Sequence, residues 1–290
     1  MNKIKVTQKI DRSGPEYQKP NKKVSLGVNK SLTTTNFILD SDGTPAGDQA
    51  VTDMEAVCEQ DYTTLKGIFG VTEVPSTPFV VTVDVNAGGA FHQTCADTGI
   101  HVIPEDAASL LVAEVVECFE AQNGGWDCGD TNGEGLSRAL AITVRPFKVL
   151  TGLDGDVQGW WNNGNPHDFV NNNAGSDQDQ QSNACGTLFL FYLNSLGYSW
   201  NKIVANGGKT LGETYNKITG RTGQEGFTAF VAALNGIQQP WADNPFTGAP
   251  APTPTPTPTP TPNPTPTPQG PGCLFAPFAF INGLWRTIFG

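Results

Sequence analysis

The chain has 290 residues, of which 38% are hydrophobic, and a formal net charge of −11 that is distributed unevenly. Residues 1–30 contain eight Lys or Arg against two acidic residues, whereas residues 31–290 contain nine Lys or Arg against 26 acidic residues. An acidic body argues against nucleic-acid binding, and no stretch reaches the roughly 20 apolar residues that a membrane-spanning helix needs.

Four regions differ in composition. A polar basic arm covers residues 1–33, a globular domain covers 34–246, a Thr-Pro linker covers 247–272, and an apolar tail covers 273–290. The length and the apolar content of the second region are sufficient for a packed core.

Within the globular domain, β-rich runs come before the helical patterns. The predicted strands are residues 78–85 and 100–103, which are bounded by turn residues. The predicted helices are residues 107–122, about 134–146, 189–196, 200–205, 211–219 and 226–234, from their apolar periodicity and from the Gly or Pro that ends them. Strands followed mainly by helices predict an α+β domain.

The first predicted helix carries the sequence Ala113-Glu114-Val115-Val116-Glu117. A zinc-peptidase helix has His-Glu-x-x-His, in which two imidazoles one turn apart bind the metal and the Glu between them is the general base. Here Ala113 and Glu117 stand at the two histidine positions, while Glu114 keeps the position of the base.

The second predicted helix starts in Gly133-Glu134-Gly135-Leu136-Ser137, after a Gly-rich connection. This order of elements, with the Gly-bounded helices that follow, resembles the gluzincin metallopeptidases over residues 79–235. In that family the third zinc ligand is a Glu that opens the second helix, so the resemblance places Glu134 there. It implies a zincin-like α+β fold with a small sheet followed mainly by helices.

The resemblance lacks the ligands that zinc prefers. Ala113 offers no ligand atom, and Glu117 with Glu134 supplies two carboxylates, which suit Ca²⁺ or Mg²⁺ better than Zn²⁺. We therefore expect no cofactor. The alternative is a divalent cation (Ca²⁺ or Mg²⁺ before Zn²⁺) in a hydrolase whose catalytic base is Glu114.

In a third interpretation there is no metal or catalytic site, and Glu114, Glu117 and Glu120 form a solvated acidic helix face. The histidines of the chain lie outside this helix, and we expect each of them at the surface or in a structural role. They are His92, His101 and His167.

The segment that begins with Trp160-Trp161 is rich in Asn, Gln and Asp up to residue 181. Exposed indole rings stack on the apolar faces of sugars, so these two residues are candidates for glycan binding. The alternative is a long surface loop whose tryptophans are tucked into the core.

The chain has six cysteines and no Cys-x-x-Cys pair, which argues against a zinc ribbon or a thioredoxin-type motif. An acidic, Asn- and Gly-rich body with scattered cysteines predicts an extracellular or cell-surface protein with one or two disulfides, whose pairing stays open. The alternative is a set of reduced, buried cysteines in an intracellular protein. Residues 1–30 contain no recognisable signal-peptide core.

The Thr-Pro linker predicts an extended polyproline rod, because Pro fixes φ and lacks an amide donor. Such Thr-rich stalks are often O-glycosylated outside the cell, and a bare spacer is the alternative. The candidate glycosylation sites are Thr253, Thr255, Thr257, Thr259, Thr261, Thr265 and Thr267.

The tail is too short and interrupted to span a bilayer, yet it is too apolar to be an idle solvated end. We expect it to dock on a protein partner or on another copy of the chain, with contact at a membrane interface as the less favoured alternative. The anchor residues would be Phe278, Phe280, Ile281, Leu284, Trp285 and Phe289.

These features together predict a non-catalytic extracellular or surface-assembly protein. Its degenerate peptidase-like domain would serve structure or recognition, tethered through the stalk and the tail. The alternatives are a metal-dependent hydrolase with a carboxylate-rich site and a carbohydrate-binding surface module.

Overall fold

The computed structural model describes residues 30–71, 77–145, 153–176, 178–239, 241 and 244–247. The basic arm up to residue 29, the linker from residue 248 and the apolar tail lie outside these residues. The predictions of glycosylation on the linker threonines and of anchoring by the six tail residues therefore stay predictions.

A mixed sheet forms the first part of the described fold, with the strand order β1-β2-β3-β5-β4. The strands are β1 (Ser31–Thr33), β2 (Phe37–Asp40), β3 (Phe79–Val83), β4 (Ala90–Phe91) and β5 (Gly99–Val102). The three central strands are parallel, and each edge strand is antiparallel to its neighbour. On β3, Phe79, Val81 and Val83 are buried while Val80 is 41% exposed, so one face of the sheet packs against helices.

Helices make up most of the rest of the described chain. They are α1 (Pro45–Glu55), α2 (Cys58–Phe69), α3 (Ala107–Glu120), α4 (Thr131–Val144), α5 (Leu153–Trp161), α6 (Gln180–Ser195), α7 (Trp200–Ala205), α8 (Leu211–Thr219) and α9 (Gly223–Asn235), with a 3₁₀ turn at Asn162–Gly164. The predicted α+β class, with a small sheet followed mainly by helices, is confirmed. The bounds of α7 and α8 agree with the prediction, whereas β1, β2, α1, α2, β4 and α5 were not predicted.

Helix α6 begins at Gln180, nine residues before its predicted start. Its first turns carry Ser182, Asn183 and Thr187, which are polar yet fully buried. The Asp179 side chain caps this end by accepting a hydrogen bond from the Ser182 amide. Polar composition suggested a loop here, but helix capping and packing determine where the helix starts.

Helix α3 lies at the centre of the domain. It is contacted by α1, α2 and α4 and by strands β4 and β5, while α4 packs on α6. An aromatic cluster joins the sheet to the helices, in which Phe37 stacks on Phe79 at 5.2 Å and Phe69 stacks on Phe119 at 5.0 Å between ring centroids. Because its neighbours surround it, α3 has little surface left for water.

Helices α4 and α6 approach each other closely at a pair of glycines. A Cβ atom at Gly135 would lie 2.7 Å from the Gly186 carbonyl carbon, and a Cβ at Gly186 would lie 2.5 Å from the Thr131 carbonyl oxygen. Real Cβ atoms do not come this close to backbone. The glycine contact therefore fixes the position of the first turns of α4, which carry Glu134.

Gly135→Ala should lower the free energy of unfolding by about 1–3 kcal/mol, because the added methyl group has to push the α6 backbone away. Gly67→Ala is the matched control, since this glycine also lies in a helix but has no heavy atom within 4 Å of its Cβ position. The control should be stabilised by up to about 1 kcal/mol through helix propensity. Urea unfolding measures both, and equal effects would contradict the close packing.

Candidate functional site

The carboxylates of α3 are buried rather than solvated. Glu114, Glu117 and Glu120 are each at most 1% exposed. The interpretation of these three residues as a solvated acidic helix face is therefore wrong, because the neighbouring elements cover α3 on the side that bears them.

A buried histidine bridges two of these carboxylates. His92 directly follows β4, and its Nδ1 atom lies 3.3 Å from Glu114 Oε2 while its Nε2 atom lies 3.2 Å from Glu117 Oε2. The Nε2 contact lacks hydrogen-bond geometry, and no other described residue supplies a hydrogen bond to that atom. A neutral imidazole has one N–H and donates to one carboxylate, whereas an imidazolium can donate to both.

Sequence reasoning did not assign His92 to this site. The contact depends on the antiparallel pairing of β4 with β5, in which Ala90 pairs with Val102 and Phe91 with His101. This pairing places the residue after β4 beside a helix that begins 15 positions later in the chain.

The remaining two histidines lie away from this pair of carboxylates. His101 is partly exposed and stacks on Phe91 at 4.8 Å between ring centroids. His167 is exposed, and its ring meets the edge of Phe169. Both histidines therefore pack against aromatic rings, in agreement with a surface or structural role.

Glu134 lies on the neighbouring helix, fully buried in the first turn of α4. Its Oε2 atom is 3.4 Å from an Arg138 guanidinium nitrogen. The Glu120 carboxylate also reaches this helix start, since its Oε2 would lie 2.7 Å from a Cβ at Gly133. The Glu120 carboxylate of α3 therefore adjoins the beginning of α4, which favours negative charge through the helix dipole.

Ala113 interrupts an otherwise buried run. Within residues 111–120 it alone is partly exposed. The position to which the resemblance assigns the first zinc ligand is therefore occupied by a partly exposed alanine.

A disulfide links the segment after β4 to the α3–α4 loop. Cys95 and Cys128 are joined, which confirms the prediction of a disulfide and establishes its pairing. Ligand atoms of His92, Glu117 and Cys128 all lie within 4.8 Å of one another, and they are the group of potential metal ligands found among the described residues. Three separate parts of the chain thus meet here.

The other described cysteines are buried thiols that do not contribute a thiolate. Burial raises the pKa of Cys58 to about 11. Burial, followed by the charges of Glu117 and Glu114, raises the pKa of Cys118 well above its usual value. The Cys118 thiol donates to the Asp97 carbonyl oxygen at 3.4 Å. Burial also raises the pKa of Cys185, so all three stay protonated at neutral pH.

The two candidate tryptophans are inside the protein. Trp160 is 1% exposed, stacks on Phe230 and donates from Nε1 to the His167 carbonyl oxygen. Trp161 is 8% exposed and packs against the edge of Trp241. Their rings are covered by protein, in agreement with the core alternative, and neither offers a face on which a sugar can stack.

Comparisons with protein-family models, with curated proteins and with solved structures found no match to this chain. The resemblance to gluzincins therefore rests on the residues and on the order of elements. No helix within the described ranges is long and apolar enough to cross a membrane.

His92→Ala should lower the free energy of unfolding by about 3–5 kcal/mol, because it leaves two buried carboxylates without the group that faces both. His167→Ala, the same change at an exposed histidine, should stay within about 0.5 kcal/mol of the parent. Adding Glu117→Gln to His92→Ala should recover part of the loss by removing a buried charge. Thermal and urea unfolding measure all three, and equal costs for the two histidine variants would contradict the bridge.

Proposed function

We propose that this chain is a non-catalytic protein whose α+β domain is a degenerate zincin-like scaffold used for structure or recognition. The observation that carries the proposal is the burial of Glu114 against His92, next to an alanine at the position of the first zinc ligand. Both features remove steps that a zinc peptidase needs.

The first missing step is activation of water. A general base has to reach a metal-bound water and accept its proton. Glu114 is buried, and its Oε2 atom faces His92 Nδ1 at 3.3 Å. A catalytic base needs access to water and substrate, whereas this carboxylate faces a protein side chain.

The second missing step is polarisation of the substrate. Catalytic zinc sites use three protein ligands and keep one position open. Of the positions that the resemblance assigns, Ala113 has no ligand atom, and Glu134 lies 3.4 Å from the charged group of Arg138. An arginine beside a carboxylate competes with a cation for it.

The arrangement of elements supports the scaffold part of the proposal. A small mixed sheet precedes α3, a Gly-rich connection leads to α4, and the two helices pack together with buried glutamates on both. This is the order of parts on which the resemblance to gluzincins rests. We infer that the domain kept a peptidase shape while its ligand positions changed.

A metal-dependent hydrolase is the second candidate. The observation that favours it is the 3.2 Å distance between His92 Nε2 and Glu117 Oε2, which brings a nitrogen and an oxygen ligand together. In that case Glu114 would act as the base and a divalent cation would be required. The two candidates differ in measurable activity.

With its disulfide intact, the full chain should hydrolyse a peptide library no faster than its Glu114→Gln variant in Zn²⁺, Ca²⁺ or Mg²⁺. The reason is that Glu114 has no access to a metal-bound water. Mass spectrometry of the peptide products measures the rates. Faster hydrolysis by the parent than by Glu114→Gln would establish the hydrolase instead.

A companion variant tests the scaffold separately from the activity. Ala113→His combined with Glu117→His restores the His-Glu-x-x-His pattern, so it should gain one equivalent of Zn²⁺. Adding Glu134→Gln should weaken that binding by at least about tenfold, because a ligand is lost. If zinc binding does not depend on Glu134, the zincin-like assignment fails even when the parent is inactive.

We further propose that the protein works outside the cell or on a surface assembly, anchored by its tail. The Cys95–Cys128 disulfide supports an oxidising compartment, because disulfides persist mainly there. A Thr-Pro stalk before an apolar segment suits a tethered domain. The tail would bind a protein partner or another copy of the chain.

Deletion of residues 270–290 should release the protein from the surface or assembly of the producing cells, since the apolar contact is lost. The matched control keeps the full length and replaces Phe278, Phe280 and Trp285 by Ser, which should release it to a similar extent. Fractionation and immunoblotting measure retention. Unchanged retention of the truncated chain would remove the anchor from the proposal.

A further inference from the structure

The Cys95–Cys128 disulfide lies beside the histidine–carboxylate bridge. Cys128 Sγ, His92 and Glu117 have ligand atoms within 4.8 Å of one another. Cys128 belongs to the α3–α4 loop, His92 follows β4, and Glu117 lies on α3. A sulfur, a nitrogen and an oxygen donor from three elements therefore converge on one buried point.

The two ring nitrogens of His92 have different surroundings. Its Nδ1 atom faces Glu114 Oε2 at 3.3 Å, while the buried Nε2 atom makes no hydrogen bond with a described residue. Histidines that bind metals usually donate their other ring N–H to a carboxylate, which fixes the tautomer that leaves the binding nitrogen unprotonated. Glu114 is placed to accept that hydrogen bond.

The distance between the nitrogen and the oxygen fits a tetrahedral ion. Zinc–nitrogen and zinc–oxygen bonds are about 2.0–2.2 Å long, which puts two tetrahedral ligands about 3.3 Å apart. His92 Nε2 and Glu117 Oε2 are 3.2 Å apart. The separation of these two atoms therefore matches that of two ligands of one zinc ion.

The sulfur is close enough to be the third ligand. Cys128 Sγ lies within 4.8 Å of a ligand atom of each of the other two residues, and a zinc–thiolate bond is about 2.3 Å long, so a small approach of the sulfur completes the site. A disulfide sulfur does not provide a thiolate, which is the form that binds metals. The covalent bond to Cys95 therefore prevents Cys128 from acting as a thiolate ligand.

We propose that reduction of the Cys95–Cys128 disulfide converts this cluster into a zinc site formed by His92 Nε2, Glu117 and the Cys128 thiolate. The fourth position is taken by water. Three protein ligands of N, O and S type match the donors that Zn²⁺ prefers. The inference goes beyond the proposed function and stands whether or not the domain is zincin-like.

The reducing step is a thiol–disulfide exchange with a dithiol. Cys95 is partly exposed whereas Cys128 is buried, so the attacking thiolate forms a mixed disulfide with Cys95 and Cys128 leaves as the thiolate. The second thiol of the reductant then displaces Cys95. The dithiol becomes a disulfide and supplies two electrons and two protons; zinc binding returns the Cys128 proton to solvent.

Two single substitutions test the site with a built-in control, because each one abolishes the disulfide. Cys95→Ser leaves Cys128 as a thiol next to His92 and Glu117, whereas Cys128→Ser removes the proposed ligand and leaves Cys95. Every other cysteine is the same in both full-length proteins. Any cost of losing the disulfide is therefore shared, and circular dichroism checks that both variants fold.

Zn²⁺ itself is the probe, titrated in competition with a chromophoric chelator and without added thiols. Cys95→Ser should bind one zinc at least 100-fold more tightly than Cys128→Ser. Adding Glu117→Gln to Cys95→Ser should weaken zinc binding at least tenfold. Co²⁺ in Cys95→Ser should give thiolate-to-metal charge-transfer absorption. The oxidised parent should have a zinc affinity like that of Cys128→Ser. After reduction and anaerobic removal of the dithiol, the parent should have a zinc affinity like that of Cys95→Ser.

Equal zinc affinities of the two cysteine variants would overturn the proposal, as would tighter binding by Cys128→Ser. Cobalt binding without a thiolate band would also overturn it, because the metal would then lie elsewhere. A reduced parent that binds no better than the oxidised one would show that the disulfide does not control the site.

Discussion

The burial of carboxylates on α3 is the constraint on which the rest of the domain depends. A charged group removed from water is costly unless it meets a charged or hydrogen-bonding partner. His92 lies between two of these carboxylates, with its Nδ1 atom 3.3 Å from Glu114 Oε2 and its Nε2 atom 3.2 Å from Glu117 Oε2. To reach them, the chain has to turn back after β3, form the two-residue edge strand β4 and deliver the histidine at its end. The position of this sheet edge is thus tied to the buried carboxylates of α3.

The second requirement is that α4 begins in a fixed place, because its first turn carries the fully buried Glu134. Two glycines achieve this by allowing α4 and α6 to touch along their backbones. Gly133 leaves room for the Glu120 carboxylate at the same helix start. Small residues therefore shape the site as much as the charged ones, although they carry no chemistry of their own.

Much of the secondary structure was predictable, and much of the site was not. Helices α7 and α8 have a strong apolar period and clear ends, so local pattern and capping determined their bounds. Helix α6 was predicted too short because its first turns are polar, and their burial depends on α4. Burial of Glu114 could not be read from the sequence, since glutamates usually lie at surfaces and only tertiary packing covers α3. The role of His92 also needed the strand pairing, which places residues far apart in the chain side by side.

The short edge strands have a consequence for how many copies of this domain can be crowded together. An exposed sheet edge is a template for pairing with another chain, and long apolar edges promote aggregation. Here β4 has two residues and β1 has three, with Ser31 and Thr33 at its ends. Among the described residues both edge strands are therefore short, which is one way in which proteins limit pairing between sheets. Crowding such domains side by side therefore presents little paired-strand template at β1 and β4.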